Sequence, residues 1–461
     1  MSISHEGLHG KAKTTSITLS VLATDMLIKL CNTLDFNHIA QLTMTDVQKT
    51  KRGFWWLGRK LYLRIHLSVL ILQCLLKRSD REMEKAILQT PVYQVFCGYG
   101  LLADWKSPDH TKIEEFRNRL SPQTHKAVGA YVIQVARDLG FADPTWVDID
   151  STVQEANIAY PSDATLMKKL AGKAYKVLQF IKSTLKDVVP QELCVDLKSI
   201  TKAAKEYFFL SKNTNIEKKR EIFNHYYHQV QSQLLPVLGY LEKLDPALLL
   251  SMPWNIRRAL ATLQEKGRGY LEDVAYFIHH HTIRAGKLLA FHAEEVACIR
   301  KGKTGKDNEF GRVFQMGRIG GNFIVAYTCE SVRMEDKTSL VPAIKEHAAL
   351  FGPNVLQSVG TDKGYYSRAN IKSISAIGIN TQGIQRPAKI KNQPCGEEIL
   401  QLRNRRAGIE PLIGHVKEFG LRKSKMKSDR ATLSSGYRSI MGFNLHQLTR
   451  HMTRCKSGVP G

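Results

Sequence analysis

Apolar residues recur at helical spacing through Leu61, Ile65, Leu67, Leu70, Ile71 and Leu75. Residues from about 16 to 140 therefore predict a run of helices. A break at Lys106-Ser-Pro-Asp-His110 offers Asp109 as the cap of a helix through Phe116 and Leu120. At Thr145-Trp-Val-Asp-Ile-Asp150 the period changes to two: Val147 and Ile149 point one way, Asp148 and Asp150 the other. Helical spacing then returns for over a hundred residues, through Leu166, Leu170, Ala174, Val177, Leu178, Ile181 and Leu185 and on to Phe277. From residue 309 strands predominate. Gly311 to Met316 and Phe323 to Cys329 predict a hairpin across Gly317-Arg-Ile-Gly-Gly-Asn322. A helix over Leu340 to Leu350, a buried strand from Val355 to Asp362 and a strand over Ile377 to Gln385 follow. Residues 397 to 450 are mostly helical.

Composition narrows the partners. In 461 residues, 67 Lys and Arg face 42 Asp and Glu, a net charge of +25. Such an excess points to a polyanion, nucleic acid before an anionic membrane. The hydrophobic share of 43% excludes a disordered chain. The apolar run Leu67 to Leu76 is far short of the ~20 residues a membrane span needs, so it predicts a buried helix. Eight scattered cysteines without a CxxC pair argue against a disulfide framework or a zinc site and for a reducing compartment. The N-terminal stretch has no signal-peptide core.

Three carboxylates stand in contexts that suit chemistry. Asp150 and Asp362 each end a predicted strand, where sheets open onto ligands. Glu410 sits in the basic segment Arg403-Asn-Arg-Arg-Ala-Gly-Ile-Glu-Pro-Leu-Ile-Gly-His-Val-Lys417. Converging carboxylates are hard oxygen donors for Mg²⁺, and paired metals suit in-line phosphoryl displacement. Spacing alone favours a solvated acid over a site residue for each of them.

In order along the chain, these residues resemble the DDE transposases of bacterial insertion sequences. The first motif is Asp150-Ser-Thr-Val-Gln-Glu-Ala-Asn-Ile-Ala-Tyr-Pro-Ser-Asp163 and the second Thr361-Asp-Lys-Gly-Tyr365. The third is similar to the family's Tyr-(2)-Arg-(3)-Glu-(6)-Lys signature, with Arg406, Glu410 and Lys417 on its last three positions and Arg403 in place of the Tyr. The likeness runs from about residue 95 to 450. It implies an α/β ribonuclease-H-like catalytic core with a large helical insertion after its first strand, preceded by an all-α N-terminal domain. The boundaries expected are a helical, DNA-end-binding domain over 1–140, the first core strand over 141–164, the insertion over 165–305, the rest of the core over 306–450 and a tail over 451–461. The resemblance further implies Asp150, Asp362 and Glu410 as catalytic ligands of two Mg²⁺ ions (Mn²⁺ substituting). Arg403, Arg406 and Lys417 would contact DNA. Transposon ends and target DNA are the implied substrates, for a homo-oligomer acting in the bacterial cytoplasm at the nucleoid. A stand-alone metal-dependent nuclease and a catalytically silent DNA-binding derivative are the alternatives.

Positions 403, 406, 410 and 417 also fall on one face if the segment is a single helix. Pro411 opposes that: the helix either kinks there or begins there, and in the second case Arg403 and Arg406 leave the shared face. Residues 386 to 430 hold twelve Lys and Arg against five acids, a balance of +7 suited to a DNA backbone. Asp148 competes with Asp150 for the first site position and is read as a supporting acid. Ala297 to Thr304 fits a relaxed phosphate-loop pattern, but Phe291 to Cys298 looks helical and a strand follows, the reverse of what that loop needs. Three successive histidines, His279 to His281, diverge on a helix and suit no shared metal. Trp55, Trp56 and Trp254 are expected in the core, with base stacking as the alternative.

Overall fold

The computed structural model describes residues 22, 24–48, 60–98, 107–184, 189–211, 213–244, 251–293, 295–303, 306–329, 333–379, 381–384 and 397–454. Trp55 and Trp56 lie outside them. The chain divides into two compact units, one of residues 1–156, 299–426 and 430–461, the other of residues 157–298 and 427–429.

The first unit opens with seven helices: α1 (Met26–Thr33), α2 (Phe36–Gln48), α3 (Lys60–Leu76), α4 (Asp80–Gln89), α5 (Pro91–Phe96), α6 (His110–Arg119) and α7 (Pro122–Asp138). Their starts are chemically marked. Ser79 and Glu82 form a reciprocal capping box on α4, Asp109 accepts from the Thr111 and Lys112 amides of α6, and Ser121 caps α7 ahead of Pro122. The apolar run lies inside α3, where Leu67, Val69, Leu70, Ile71 and Leu72 are all buried. No helix among the described residues is long and apolar enough to cross a membrane.

A six-stranded mixed sheet follows. Its strands are β1 (Trp146–Glu155), β2 (Ala297–Lys303), β3 (Lys306–Ile319), β4 (Phe323–Ala326), β5 (Ser358–Thr361) and β6 (Thr381–Ile384). The order is β2-β3-β1-β5-β6, with β4 also on β3. β1 runs antiparallel to β3, and β3 to β4; β1, β5 and β6 are parallel. Helices α12 (Asp336–Phe351) and α13 (Arg368–Ala376) make the connections to β5 and β6. The chain then forms α14 (Glu397–Arg406), α15 (Ile409–Val416), a π-type turn over Lys417–Leu421 and α16 (Asp429–Arg454).

Strand alternation sorts side chains onto the two faces. Val147, Ile149, Phe323, Val325 and Val359 join one core with α12, α13 and the N-terminal helices. Phe314, Met316 and Ile324 join another with Ile409, Ile413, Val416, Tyr437, Ile440 and Phe443 of α15 and α16. Asp150 stands opposite Met316 and Asp148 opposite Arg318, so both acids project toward the α14–α16 side. On β4 the Asn444 side chain of α16 accepts from the Ile324 amide at 2.9 Å and donates to its carbonyl at 2.8 Å. It thereby satisfies strand groups that would otherwise be open to pairing.

The second unit is helical: α8 (Asp163–Thr184), α9 (Leu197–Phe208), α10 (Ile216–Leu241) and α11 (Trp254–His280). Leu170, Ala174, Val177, Tyr226, Leu234, Leu260 and Val274 fill its core. Tyr270 donates to Asp163 Oδ1 at 3.0 Å, and Lys287 pairs with Asp163 Oδ2 at 2.7 Å.

Three local expectations need correction. Residues 297 to 303 are strand β2, not the end of a helix; the sequence Ala-Cys-Ile-Arg-Lys-Gly-Lys carries too few apolar positions to show a period of two. The phosphate-loop pattern therefore lies within strand β2 and is followed by strand β3 rather than a helix. Trp254 is 67% exposed rather than packed, with the Arg258 guanidinium 5.3 Å from its ring. The strand read over Ile377 to Gln385 narrows to Thr381–Ile384. Of the three histidines, His279 and His280 end α11 and His281 takes the left-handed cap conformation at φ 55°, all exposed.

Candidate active site

Sheet register brings the first two acids together. Ile149 pairs with Thr361 in the parallel β1–β5 ladder, so Asp150 and Asp362 follow side by side where β5 ends. Asp362 caps a short 3₁₀ turn over Lys363–Tyr365, its Oδ1 accepting from the Gly364 amide at 2.7 Å. Asp150 Oδ1 accepts from the Ser151 amide at 2.7 Å. Burial raises the Asp150 carboxyl to about 6; the Ser151 amide and Arg406 pull it down, while Asp362 and Asp336 push it up.

Glu410 reaches this place through an arginine. Arg406 Nη2 donates to Glu410 Oε1 at 3.1 Å and lies 3.8 Å from Asp150 Oδ2. Glu410 is otherwise well exposed, its side chain at 67%. The single helical face expected through positions 403 to 417 does not exist. α14 stops at Arg406, Ala407 and Gly408 turn, and α15 begins at Ile409. Pro411 thus falls in the first turn of α15, where its missing N–H costs nothing. Arg403 and Arg406 belong to α14, Glu410 to α15, and Lys417 to the residue just past it. The Nε atoms of Arg403 and Arg406 are buried with no hydrogen-bond partner.

Asp148 has a different role from Asp150. It is fully buried, and its Oδ1 accepts from Arg405 Nε at 3.1 Å and Nη2 at 3.0 Å. Arg318 Nη1 lies 3.6 Å from Oδ2 and donates to the Arg405 carbonyl at 2.9 Å. Both guanidiniums sit over the Trp146 ring, at 4.1 Å for Arg405 and 5.5 Å for Arg318. Burial raises the Asp148 carboxyl, and the two arginines act against that. This cluster fastens the end of α14 to β1 and so holds Arg406 where it meets Asp150. Gly408 is part of the fit: a Cβ there would stand 2.1 Å from Arg318 Nη1.

Sequence reasoning missed Arg405, Arg318, Trp146 and Asp336. Asp336 opens α12, and its Oδ1 accepts from Ser151 Oγ at 2.9 Å. None of the four belongs to a spaced motif; they meet only through the fold. Among the described residues, no three His, Cys, Asp or Glu side chains stand close enough together to hold a metal as arranged.

Comparison with known proteins bears on the N-terminal helices. Residues 21–119 match a family model described as a transposase domain (DUF772). A stretch of 94 residues, 20% of the chain, is 30% identical to an uncharacterized protein, ORF8 in the nfe locus of Rhizobium meliloti. That stretch spans 45% of the relative's length. No solved structure matches. The family match supports a transposase of an insertion element.

Proposed function

We propose that this protein is a DDE-type transposase, cleaving phosphodiester bonds at transposon ends and transferring the freed 3′-OH to another strand. The observation that carries this reading is the β1–β5 register, which sets Asp150 beside Asp362 at adjacent strand ends, with Arg406 linking Asp150 to Glu410. A ribonuclease-H-like core fits the sheet: three antiparallel strands in sequence (β1, β3, β4), then two parallel ones (β5, β6) on the other side of β1. The transposase domain match over residues 21–119 supports the same class.

The donor set suits a hard divalent cation. Asp150 is buried among other carboxylates, an arrangement that disfavours its ionised form and that a cation would offset. In this reading Asp150, Asp362 and Glu410, brought closer together than they stand here, would hold Mg²⁺, or Mn²⁺ in its place, which would supply Lewis acidity for phosphoryl transfer. The chain's own groups bind and orient. The unpartnered Nε donors of Arg403 and Arg406 suit phosphate oxygens, with Lys417 as a point charge beyond them.

The test is cleavage of DNA carrying the element's own ends, with and without Mg²⁺, followed by a strand-transfer assay. Metal-dependent cleavage and joining are expected; cleavage without joining would reassign the protein as a nuclease. The loose spacing of the acids favours one second reading, a silent DNA-binding derivative. Binding without any metal-dependent cleavage would establish it.

A further inference from the structure

We infer that Lys77, His415, His446 and Arg450 form a docking surface for the phosphate backbone of DNA, and that His446 takes up a proton when DNA binds. This rests on the nucleic-acid partner of the reading above and adds side chains that stand at none of its motif positions.

Three elements of the first unit meet at this surface. Lys77 follows α3 in the left-handed region at φ 56°, a conformation uncommon for a residue with a Cβ. From there its Nζ lies 4.1 Å from the centroid of the Phe419 ring. The His446 ring stands 5.8 Å from the same ring, and the buried Phe443 meets it edge-on at 6.1 Å. Phe419 belongs to the π-type turn directly after α15, the helix that carries His415. Arg450 follows His446 by about one turn on the same face of α16. Gly442 lets these elements approach: a Cβ there would stand 2.3 Å from the Cys74 carbonyl of α3 and 3.1 Å from Phe419 Cδ1. Packing therefore fixes the arrangement without a ligand.

Lys77, His415, His446 and Arg450 are all exposed, and neither Lys77 nor Arg450 pairs with a carboxylate among the described residues. Partial burial, then Arg450, Lys77 and His415, holds the His446 ring below the usual histidine range. Lys417 and Glu418, the charged residues of the π-type turn, are not among the groups that act on it. Arg78, next to Lys77, acts on Glu82, a carboxylate committed to the Ser79 cap. Cations crowded in this way favour a polyanion. Phosphate oxygens reverse the balance at His446: a nearby opposite charge favours the protonated ring, which then donates from both nitrogens. His415 stands five residues after Glu410 on α15, about 7.5 Å along the helix axis. A backbone lying at the candidate active site therefore has this surface within reach.

Fluorescence anisotropy of the full chain with a linear DNA duplex, in EDTA and at graded salt, tests this. The wild type is expected to bind at least threefold more tightly at pH 6 than at pH 8. His446→Gln should match the wild type within twofold at pH 8 and lower that ratio at least twofold. Lys77→Asn keeps a residue that tolerates the left-handed backbone. It and Arg450→Gln should each weaken binding at both pH values and reduce the salt slope by about one. Wild-type affinity and slope in both folded variants would overturn the surface and leave the transposase reading standing; if circular dichroism shows Lys77→Asn unfolded, Arg450→Gln decides alone. An equal loss in Lys218→Gln, an exposed lysine of the helical unit, would show that affinity follows net charge and would overturn the surface too. An unchanged pH ratio in His446→Gln would overturn the proton uptake. A wild-type salt slope near zero would instead overturn the nucleic-acid reading itself.

Discussion

Two buried titrating side chains pull stability in opposite directions over the same acid range. Asp150 is raised to about 6 in the folded chain, above the ordinary value of about 3.9 in an unfolded one. The unfolded state therefore releases its proton first, and stability falls as pH rises from about 4 to 6. Asp150→Asn should raise thermal stability at pH 7.5 by roughly 1–3 kcal/mol, with the gain gone at pH 4. His347 behaves the other way. Its Nε2 donates to the Pro144 carbonyl at 2.9 Å, so Nδ1 accepts from the Tyr327 hydroxyl at 3.1 Å. Burial lowers its pKa to about 4. Unfolding takes up a proton below about 6.5, and stability is lost as pH falls from there to about 4, by up to about 3 kcal/mol. Thermal melts of His347→Gln across pH 4–7 should show that slope flattened, whatever the substitution costs at neutral pH. An unchanged slope would show that His347 takes up its proton alike in the folded and the unfolded chain.

At the scale of elements, the join between α14 and α15 decides how the site is held. Asp148→Asn leaves the Arg405 and Arg318 guanidiniums over Trp146 without their buried counter-charge and should cost about 2–4 kcal/mol in chemical denaturation. Gly408→Ala pushes a methyl group against Arg318 and should free the end of α14, weakening cleavage at least tenfold while DNA affinity changes little. Equal cleavage by Gly408→Ala would show that Arg406 needs no such support. The helix break was only half legible. Offsets of 0, 3, 7 and 14 fit one helical face, and Pro411 warned of an interruption without fixing it at Ala407 and Gly408. The strands of the sheet were legible where apolar residues alternate, as in Val147 and Ile149 or Phe323 and Val325. They were not in β2, whose polar sequence carries no period. Asp148 and Asp150 looked equivalent because strand alternation puts them on one face. What separates them is Arg405, 257 residues away in sequence, and no local pattern records such a contact.

For the whole molecule, the net charge of +25 sets the expected partner and its salt response. If about five phosphates are neutralised, the slope of log affinity against log salt should be near −4 to −5. Filter binding or fluorescence anisotropy between 50 and 200 mM salt measures it, and a slope near zero would remove nucleic acid from consideration. The same titration with EDTA should leave affinity largely intact, because binding draws on Arg and Lys while the acids serve the chemistry.

The pairing of β1 with β3 has a consequence for synthesis. Asp150 and its cross-strand partner Met316 are 166 positions apart, with the helical unit between them. At about 5–20 residues per second, a ribosome needs roughly 8–30 s to make that interval. For that time β1 has left or is leaving the exit tunnel with Val147, Ile149 and Val153 uncovered and its ladder groups unpaired, a hazard for nascent chains crowded on one message. Residues 157–298 supply nearly all of a compact unit of their own and can fold first, while their neighbour upstream waits. Ribosome-arrested chains ending near residue 300 should therefore be cut readily within residues 146–155 by a broad protease, and chains ending beyond residue 400 should be protected there. Equal protection of both would mean that β1 finds another cover before its partner is made.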